Sequence, residues 1–457
     1  MIETAIILAA GSGSKIWPYS DTWPKAALPI ANRPLIYWQT KTLQNCGVKN
    51  IFVVVSHLAS QLRDVSELVG VQCIEQKNPQ GTADSLLCGL ACAKDERFLV
   101  CYGDTLFTEE DLKSLLTVSA TGNLNTALVQ PLKNIDSKEW LCANLKDNSV
   151  SAIIGHPREA SHRLCGIYAL SRSIMPDLVN NPGVMTSVEV GAMPQQEAEL
   201  AESLSRFIRG KGELRAVEAK HLFYDIDKPW HLLDANEAYL KYLSSKLTGN
   251  DIHDDARVDP NAEIGGYLVV GKGSLIGPGV KIKGNLWVGE NTQVIDGAII
   301  GKDVSISDDA IVREYCSIEA GSSIGKSCVV GHAAEFGGIL MDGAYSYHYG
   351  EYWGIIGRSA DLGAATVCGN LRFDDQRTSH KIKGRRETPA SNGANAAYLG
   401  DYTRTGVNAI LMPGVKVGPY SVVGSGVILN EDLANNSMVY VKQELVRTSW
   451  GPSKYGW

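Results

Sequence analysis

Residues 258–330 read VDPNAEIGGYLVVGKGSLIGPGVKIKGNLWVGENTQVIDGAIIGKDVSISDDAIVREYCSIEAGSSIGKSCVV. Thirteen aliphatic residues stand six apart in it: Val258, Ile264, Val270, Ile276, Ile282, Val288, Val294, Ile300, Ile306, Val312, Ile318, Ile324 and Val330. Glycine often follows, as at Gly265, Gly271, Gly277 and Gly289, and a small or aliphatic residue often sits four on, as at Ala262, Ser274, Val280 and Ala298. Neither a helix nor a flat strand has this period. A coil of short flat strands joined by tight corners does, with one aliphatic per face turned inward. The stretch therefore predicts a parallel β-helix whose stacked coils bury a continuous apolar column.

Outward from the ladder the pattern changes three times. Met341–Gly350 reads as a loop thrown off the coil, and the ladder resumes near Ile356 and Leu362. It breaks again at Phe373–Asn395, a polar and basic insertion, and ends with Leu399, Thr405, Leu411, Val417, Val423 and Leu429. The tail, 441–457, has no period and reads as either disordered or wrapped on a neighbour. Ahead of the ladder, residues 1–230 alternate short apolar strands (Thr4–Leu8, Ile51–Val55, Phe98–Cys101, Ala127–Gln130) with helical patterns (Pro34–Cys46, Ala59–Leu68, Thr82–Ala93). Alternation of this kind predicts an α/β, Rossmann-like three-layer domain with ligand at the carboxyl ends of its strands. Residues 231–253 read as a linker helix with Leu232, Leu233, Ala235, Tyr239 and Tyr242 packed. The coil is expected over 254–440.

At 457 residues the chain exceeds one ordinary core, as these divisions require. A net charge of -7 argues against a nucleic-acid partner, which needs a concentrated basic face. The ten cysteines include no CxxC pair and sit mostly in apolar surroundings, which suits reduced thiols in a cytoplasmic protein. No apolar run reaches ~18 residues, so no membrane segment is expected.

Chemistry enters where the first strand runs into Leu8-Ala9-Ala10-Gly11-Ser12-Gly13-Ser14-Lys15. Glycines past a buried strand let backbone N–H groups close on phosphate oxygens. Trp23-Pro24-Lys25, Gln76-Lys77-Asn78-Pro79-Gln80-Gly81-Thr82, Gly103-Asp104 and Tyr224-Asp225-Ile226-Asp227-Lys228-Pro229-Trp230 follow in order. The ordered set resembles the sugar-1-phosphate nucleotidyltransferases. That resemblance implies attack by a sugar-1-phosphate oxygen on the α-phosphate of a nucleoside triphosphate, releasing pyrophosphate. It also implies Asp104 and Asp225 as Mg²⁺ ligands, and Lys25 with Lys15 as the cations that neutralise phosphate. Leu8, Ala10, Gly11, Gly13, Gln76, Gly81 and Thr82 would meet the nucleotide, and Gly166 and Glu197 the sugar. Glu197 is expected in an acidic helix with Glu199 and Glu202.

Three positions depart from the family. Its phosphate-loop arginine is Lys15 here, and lysine offers a point charge where arginine offers a planar fork. Its Glu-Lys-Pro reads Gly155-His156-Pro157, and its asparagine before Gly-Ile-Tyr is replaced by Leu164 or Cys165.

The coil resembles the left-handed β-helix of hexapeptide acyltransferases. With the first domain it is similar to the bifunctional uridylyltransferase–acetyltransferases that make UDP-N-acetylglucosamine. Leu340-Met341-Asp342-Gly343, His348, Leu362-Gly363-Ala364-Ala365-Thr366 and Asn370-Leu371-Arg372-Phe373-Asp374-Asp375 carry that likeness. It implies acetyl-CoA as co-substrate, His348 as base toward the sugar amine, Asn370 near the acyl group, and a homotrimer. Lys381, Lys383, Arg385 and Arg386 would draw the phosphates of coenzyme A. The family's tyrosine three after the histidine is Glu351 here, and lysines after the asparagine fall at Gln376 and Ser379. Two alternatives remain: a nucleotidyltransferase using dTTP or GTP with a structural or regulatory coil, and a non-catalytic nucleotide-sugar sensor.

Overall fold

The computed structural model describes residues 2–62, 71–133, 136–189, 191, 193–346 and 348–452. The helix expected over Ala59–Leu68 is helical from 59 to 62 and then leaves the described residues, as does the tail after 452.

The first strand, β1 (Thr4–Ala9), is buried along its length, so its alternating side chains feed two cores. Ile6 and Leu8 join one cluster, and Ala5, Ile7 and Ala9 join another on the opposite face. Around β1 assemble β2 (Asn50–Val55), β3 (Gln72–Glu75), β4 (Arg97–Tyr102), β5 (Thr105–Phe107), β6 (Asn125–Pro131), β7 (Leu141–Lys146), β8 (Ser149–Gly155), β9 (His162–Ser171), β10 (Leu214–Glu218) and β11 (Phe223–Asp225). Nine of them form one mixed sheet in the order β3-β2-β1-β4-β9-β6-β10-β8-β7, and β5 pairs with β11 beside it. Helices α1 (Leu35–Asn45) and α3 (Glu109–Ala120) cover one face, and α2 (Thr82–Cys92) and α4 (Leu200–Arg209) the other. The three layers expected are present. Because β1 pairs in parallel with both β2 and β4, the chain leaves its carboxyl end between two diverging connections, where such sheets hold ligands.

Helix α5 (Pro229–Ser244) starts with proline in its first turn, where a missing N–H costs nothing. Leu232, Leu233, Ala235 and Tyr239 are buried on it, and Tyr242 packs against the same cluster. The Asn236 Oδ1 accepts from Ala31 N and Ser323 Oγ at 2.8 Å each, while Nδ2 donates to Gly321 O at 2.9 Å. One side chain thereby ties the first domain, the helix and the coil.

The ladder folds as stacked parallel strands, each pairing with the strand 18 residues on, as Val258–Ile276, Ile276–Val294 and Val294–Val312 do. From Val270 upward its rungs are buried in one continuous core; each such aliphatic contributes roughly 1.5–3 kcal/mol. Ile264 remains 43 % exposed, because no coil stacks beneath the open end.

Met341–Gly350 is not a loop thrown off the coil. Tyr345–Ser346 pairs in register with Val329–Val330 below and Asp361–Leu362 above, so the stack continues. What changes is a corner. Glu335–Leu340 pairs with both Ser317–Ile318 and Ser323–Ile324, one straight strand replacing two strands and the bend between them. Glu351–Ile356 repeats this directly above. Gly338 and Gly354 stack at the straightened corner with φ of +112° and +143°, and a Cβ on Gly338 would lie 2.0 Å from Gly354 O. Only glycine fits. The sequence ladder loses phase there while the spatial one does not.

That flattened wall is where the first domain docks. Ile339, Met341, Ile355, Ala396 and Tyr398 from the coil share a cluster with Ile16, Tyr19, Leu28, Leu35, Trp230 and Leu233. The basic insertion contributes a hairpin, His380–Ile382 with Arg385–Glu387, whose Ile382 joins that cluster.

Candidate active site

The carboxyl end of β1 opens into a loop that closes over Lys25. Gly13 has φ +65°, and a Cβ there would lie 2.8 Å from Lys25 Cγ. A residue with a side chain would push the lysine away. Gly11 faces open space, with Leu8 and Ala10 buried beneath it. Lys25 Nζ donates to Asp104 Oδ2 and to Asp227 Oδ1, both at 3.1 Å. Lys15 Nζ donates to the other Asp227 oxygen at 3.1 Å, and Lys228 Nζ stands 3.5 Å from it. Burial would push the Lys25 ammonium down, but Asp227, Asp104 and Asp225 hold it well above the ordinary lysine range. Burial likewise favours neutral Asp227, and Lys25, Lys15 and Lys228 overcome it and hold that carboxyl far below its usual range.

Asp104 and Asp225 come together because β5 pairs with β11, Thr105 facing Asp225, and Ile226 N donates to Asp104 O at 2.8 Å. No donor among the described side chains reaches the Asp225 carboxylate. Burial, then the charges of Asp104 and Asp227, push it up to about 7 against Lys25 and Arg163. A cation between the two carboxylates would reverse that repulsion. Although the described residues hold no cluster of three or more metal-binding side chains, Mg²⁺ is commonly held by one or two carboxylates plus substrate phosphates, which this pair fits.

Four residues here had no role assigned from sequence. Asp227 is the hub on which Lys15, Lys25 and Lys228 converge. Lys228, only 4 % exposed, also reaches Glu139 at 3.0 Å and Glu387 of the insertion hairpin at 3.1 Å. Arg163 is buried, lies 4.3 Å over the Trp140 ring and faces Asp225. Burial and Lys228 push His231 down to about 3, leaving it neutral to accept from Asp227 N at 3.2 Å. The signal for Asp227 was its position two residues from Asp225.

The remaining expected residues fall around this cluster. Gln76 is buried with both ends of its amide engaged, by Asp84 and Ser85 at 2.7 Å each. Gly81 lies against the backbone of Ala198, and Thr82 Oγ1 donates to Glu199 at 2.8 Å. Glu197 is exposed and, with Glu199, precedes α4 rather than lying in it; Ala198 is held extended by Gln80 and Ala83. Glu199 is thus the carboxylate turned inward, and burial with Glu197 and Asp104 raises it despite Thr82 and Lys15. Gly166 sits where β9 shifts register between Leu164 and Tyr168, a bulge that redirects the strand. His156 is exposed, its ring on Lys138 O at 2.9 Å.

The coil buttresses the loop after β1 from outside. Trp17 Nε1 donates to Asn435 at 2.8 Å, the Tyr19 hydroxyl to Ile355 O at 3.1 Å, and Trp23 Nε1 to Asp401 at 2.9 Å. Arg358 lies 4.6 Å over the Trp23 ring and pairs with Asp401 at 3.1 Å. Trp23 is two residues from Lys25, so the second domain sets the seat of the cation.

On the coil itself, His348 and His332 meet edge to face on successive turns, with ring centroids 6.0 Å apart and positive φ at both. His348, Asn370, Lys381 and Lys383 are all exposed. All ten cysteines are free thiols, and no described helix is long and apolar enough to cross a membrane.

Residues 5–173 match the model of the MobA-like NTP transferase domain family. Over its length the chain is 31% identical to the bifunctional protein GlmU of one Methanococcus maripaludis strain, across 97% of this chain and 98% of that protein. The GlmU of a second strain, C7, is 33% identical with the same coverage. The bifunctional sugar-1-phosphate nucleotidylyltransferase/acetyltransferase of Sulfurisphaera tokodaii is 28% identical over 94% of this chain and 98% of its own. The chain belongs to this family of bifunctional sugar-1-phosphate nucleotidyltransferase–acetyltransferases, and is an enzyme of that class.

Proposed function

We propose that residues 1–230 transfer a uridylyl group from UTP to N-acetylglucosamine-1-phosphate, and that the coil, 254–440, acetylates glucosamine-1-phosphate from acetyl-CoA. The observation that carries the first half is the cluster of Lys15, Lys25 and Lys228 on Asp227 beside Asp104 and Asp225, at the carboxyl end of β1. A sugar-phosphate oxygen forms a bond to the α-phosphorus as the bond to the bridging oxygen of pyrophosphate breaks. Charge moves onto phosphate oxygens, so fixed cations do most of the work. Asp227 keeps Lys25 charged and holds both Lys15 and Lys25 in place; Gly11 and Gly13 leave room for the phosphates; Gly166 and the Glu197–Glu199 segment border the sugar. Asp104 and Asp225 would hold Mg²⁺, which supplies further neutralisation of the triphosphate when bound. The names of the relatives, rather than any base contact, support UTP.

In the second half the amine nitrogen bonds to the thioester carbonyl carbon, the thiolate leaves, and His348 takes the amine proton. Asn370 lies near the acyl group, and Lys381 and Lys383 near the phosphates of coenzyme A. The hexad ladder supports a left-handed prism, and the exposure of His348 and Asn370 on a single coil suits a site completed by neighbours in a homotrimer. Ten cysteines without a disulfide support a cytoplasmic setting.

Given glucosamine-1-phosphate, acetyl-CoA, UTP and Mg²⁺, the protein should release free thiol and then pyrophosphate. His348→Ala is expected to lose thiol release by about 10²-fold or more and to keep pyrophosphate release from N-acetylglucosamine-1-phosphate. Thiol release unchanged in that variant would remove His348 from the reaction. Lys15→Arg should raise nucleotidyl turnover a few-fold, on the order of 2–10, by adding a forked contact while keeping the Asp227 pair. A fall in kcat would show that this site depends on lysine.

A further inference from the structure

The basic run of the insertion, Lys381-Ile382-Lys383-Gly384-Arg385-Arg386, ends on an acid, Glu387, and that acid faces the first domain. Across the hairpin Glu387 pairs with His380, and residues directly opposite in antiparallel strands leave by the same face. The His380 ring lies 4.7 Å from that of Trp230, and Glu387 meets Lys228, two residues earlier, at 3.1 Å. His380 is itself tied to the coil: Nε2 donates to Ala394 O at 2.8 Å, and Nδ1 accepts from Lys416 Nζ at 3.2 Å. Lys416 is buried and pairs with Asp432 at 2.8 Å. Glu387 is therefore presented to the nucleotidyl cluster by a fixed element of the second domain.

Lys228 and Lys15 address one and the same oxygen, Asp227 Oδ2, at 3.5 and 3.1 Å. Two ammoniums on one oxygen compete, and the balance is set by what else holds Lys228: Glu139 at 3.0 Å and Glu387 at 3.1 Å. These two grips are unequal. The Glu139 side chain is 40 % exposed, where water screens the pair, whereas those of Glu387 and Asp227 are 19 % and 18 % exposed. Without Glu387 the ammonium of Lys228 is left between a screened carboxylate and Asp227, and it closes on Asp227 Oδ2 at the expense of Lys15. We propose that Glu387 is a positioning residue of the nucleotidyl site: the coil's hairpin holds Lys228 off Asp227 and so keeps Lys15 in its seat. The role rests on the nucleotidyl-transfer reading for what Lys15 does; the contacts themselves do not.

The test compares the full chain of wild type with Glu387→Ala, Glu387→Gln and the double variant Glu387→Ala/Lys228→Gln. Two quantities are read: steady-state pyrophosphate release, and the rate at which acetic anhydride labels Lys15, followed by peptide mass spectrometry. Glu387→Ala should lower kcat by about tenfold or more with little change in the KM of the sugar-1-phosphate. It should also label Lys15 severalfold faster, since an ammonium off its carboxylate is open to the reagent. Glu387→Gln still accepts from Lys228 Nζ and should stay within about threefold of wild type in both. The double variant removes the competitor, so both readouts should return toward wild type, a repair that simple loss of hairpin packing does not allow. Wild-type kcat and labelling in Glu387→Ala, or a defect that persists in the double variant, overturns the role. If no form, wild type included, releases pyrophosphate, the nucleotidyl-transfer reading fails, and the Lys15 labelling alone decides whether Glu387 positions it.

Discussion

Lys25→Met should lower the kcat of nucleotidyl transfer by about 10²–10³-fold while leaving acetyl transfer intact. Among the described residues Lys25 is the one side chain that touches both Asp104 and Asp227, at 3.1 Å each, and its charge is sustained by three carboxylates against burial. Methionine keeps the length of the stem and removes the charge. Asp104 and Asp227 would then repel each other with only Lys15 and Lys228 left to offset them. Steady-state pyrophosphate release and thiol release, measured on the same preparation, separate the two activities. An equal fall in both would mean that the variant has lost its fold rather than its cation.

The second large effect lies far from that cluster in sequence. Asp401→Ala should destabilise the docked arrangement by roughly 1–3 kcal/mol, because it removes the partner of a half-buried Arg358 and of the Trp23 indole N–H together. Asp401 itself is fully buried, so no water substitutes. Nucleotidyl transfer should fall too, since Trp23 no longer fixes the approach to Lys25. Unfolding followed by circular dichroism gives the first quantity, and kcat well below the transition gives the second. Full nucleotidyl activity in a destabilised variant would show that the coil holds the loop without tuning it.

The coil could be read from sequence because period six belongs to few structures, and each rung reports its own burial. Its one misreading, Met341–Gly350, came from corners shortened around Gly338 and Gly354, a change of phase that only stacking reveals. The four expected sheet strands are present, but β3, β7, β8, β9 and β10 were not read as strands. Strand β9 is buried on both faces almost throughout and broken by the bulge at Gly166, so it shows no alternation to detect. Asp104, Asp225 and Lys25 were legible as a motif. The hub role of Asp227 was not, because it depends on Lys15, which lies 212 residues away. Contacts such as Trp23 with Asp401, 378 residues apart, leave no local trace at all.

The most direct measurement is a coupled pyrophosphate assay with Mg²⁺, crossing UTP, dTTP, GTP, CTP and ATP against N-acetylglucosamine-1-phosphate, glucosamine-1-phosphate and glucose-1-phosphate. UTP with N-acetylglucosamine-1-phosphate is the expected best pair, lost in Lys25→Met. No pyrophosphate from any pair, with nucleotide still bound, would contradict nucleotidyl transfer and leave a nucleotide-binding sensor in its place.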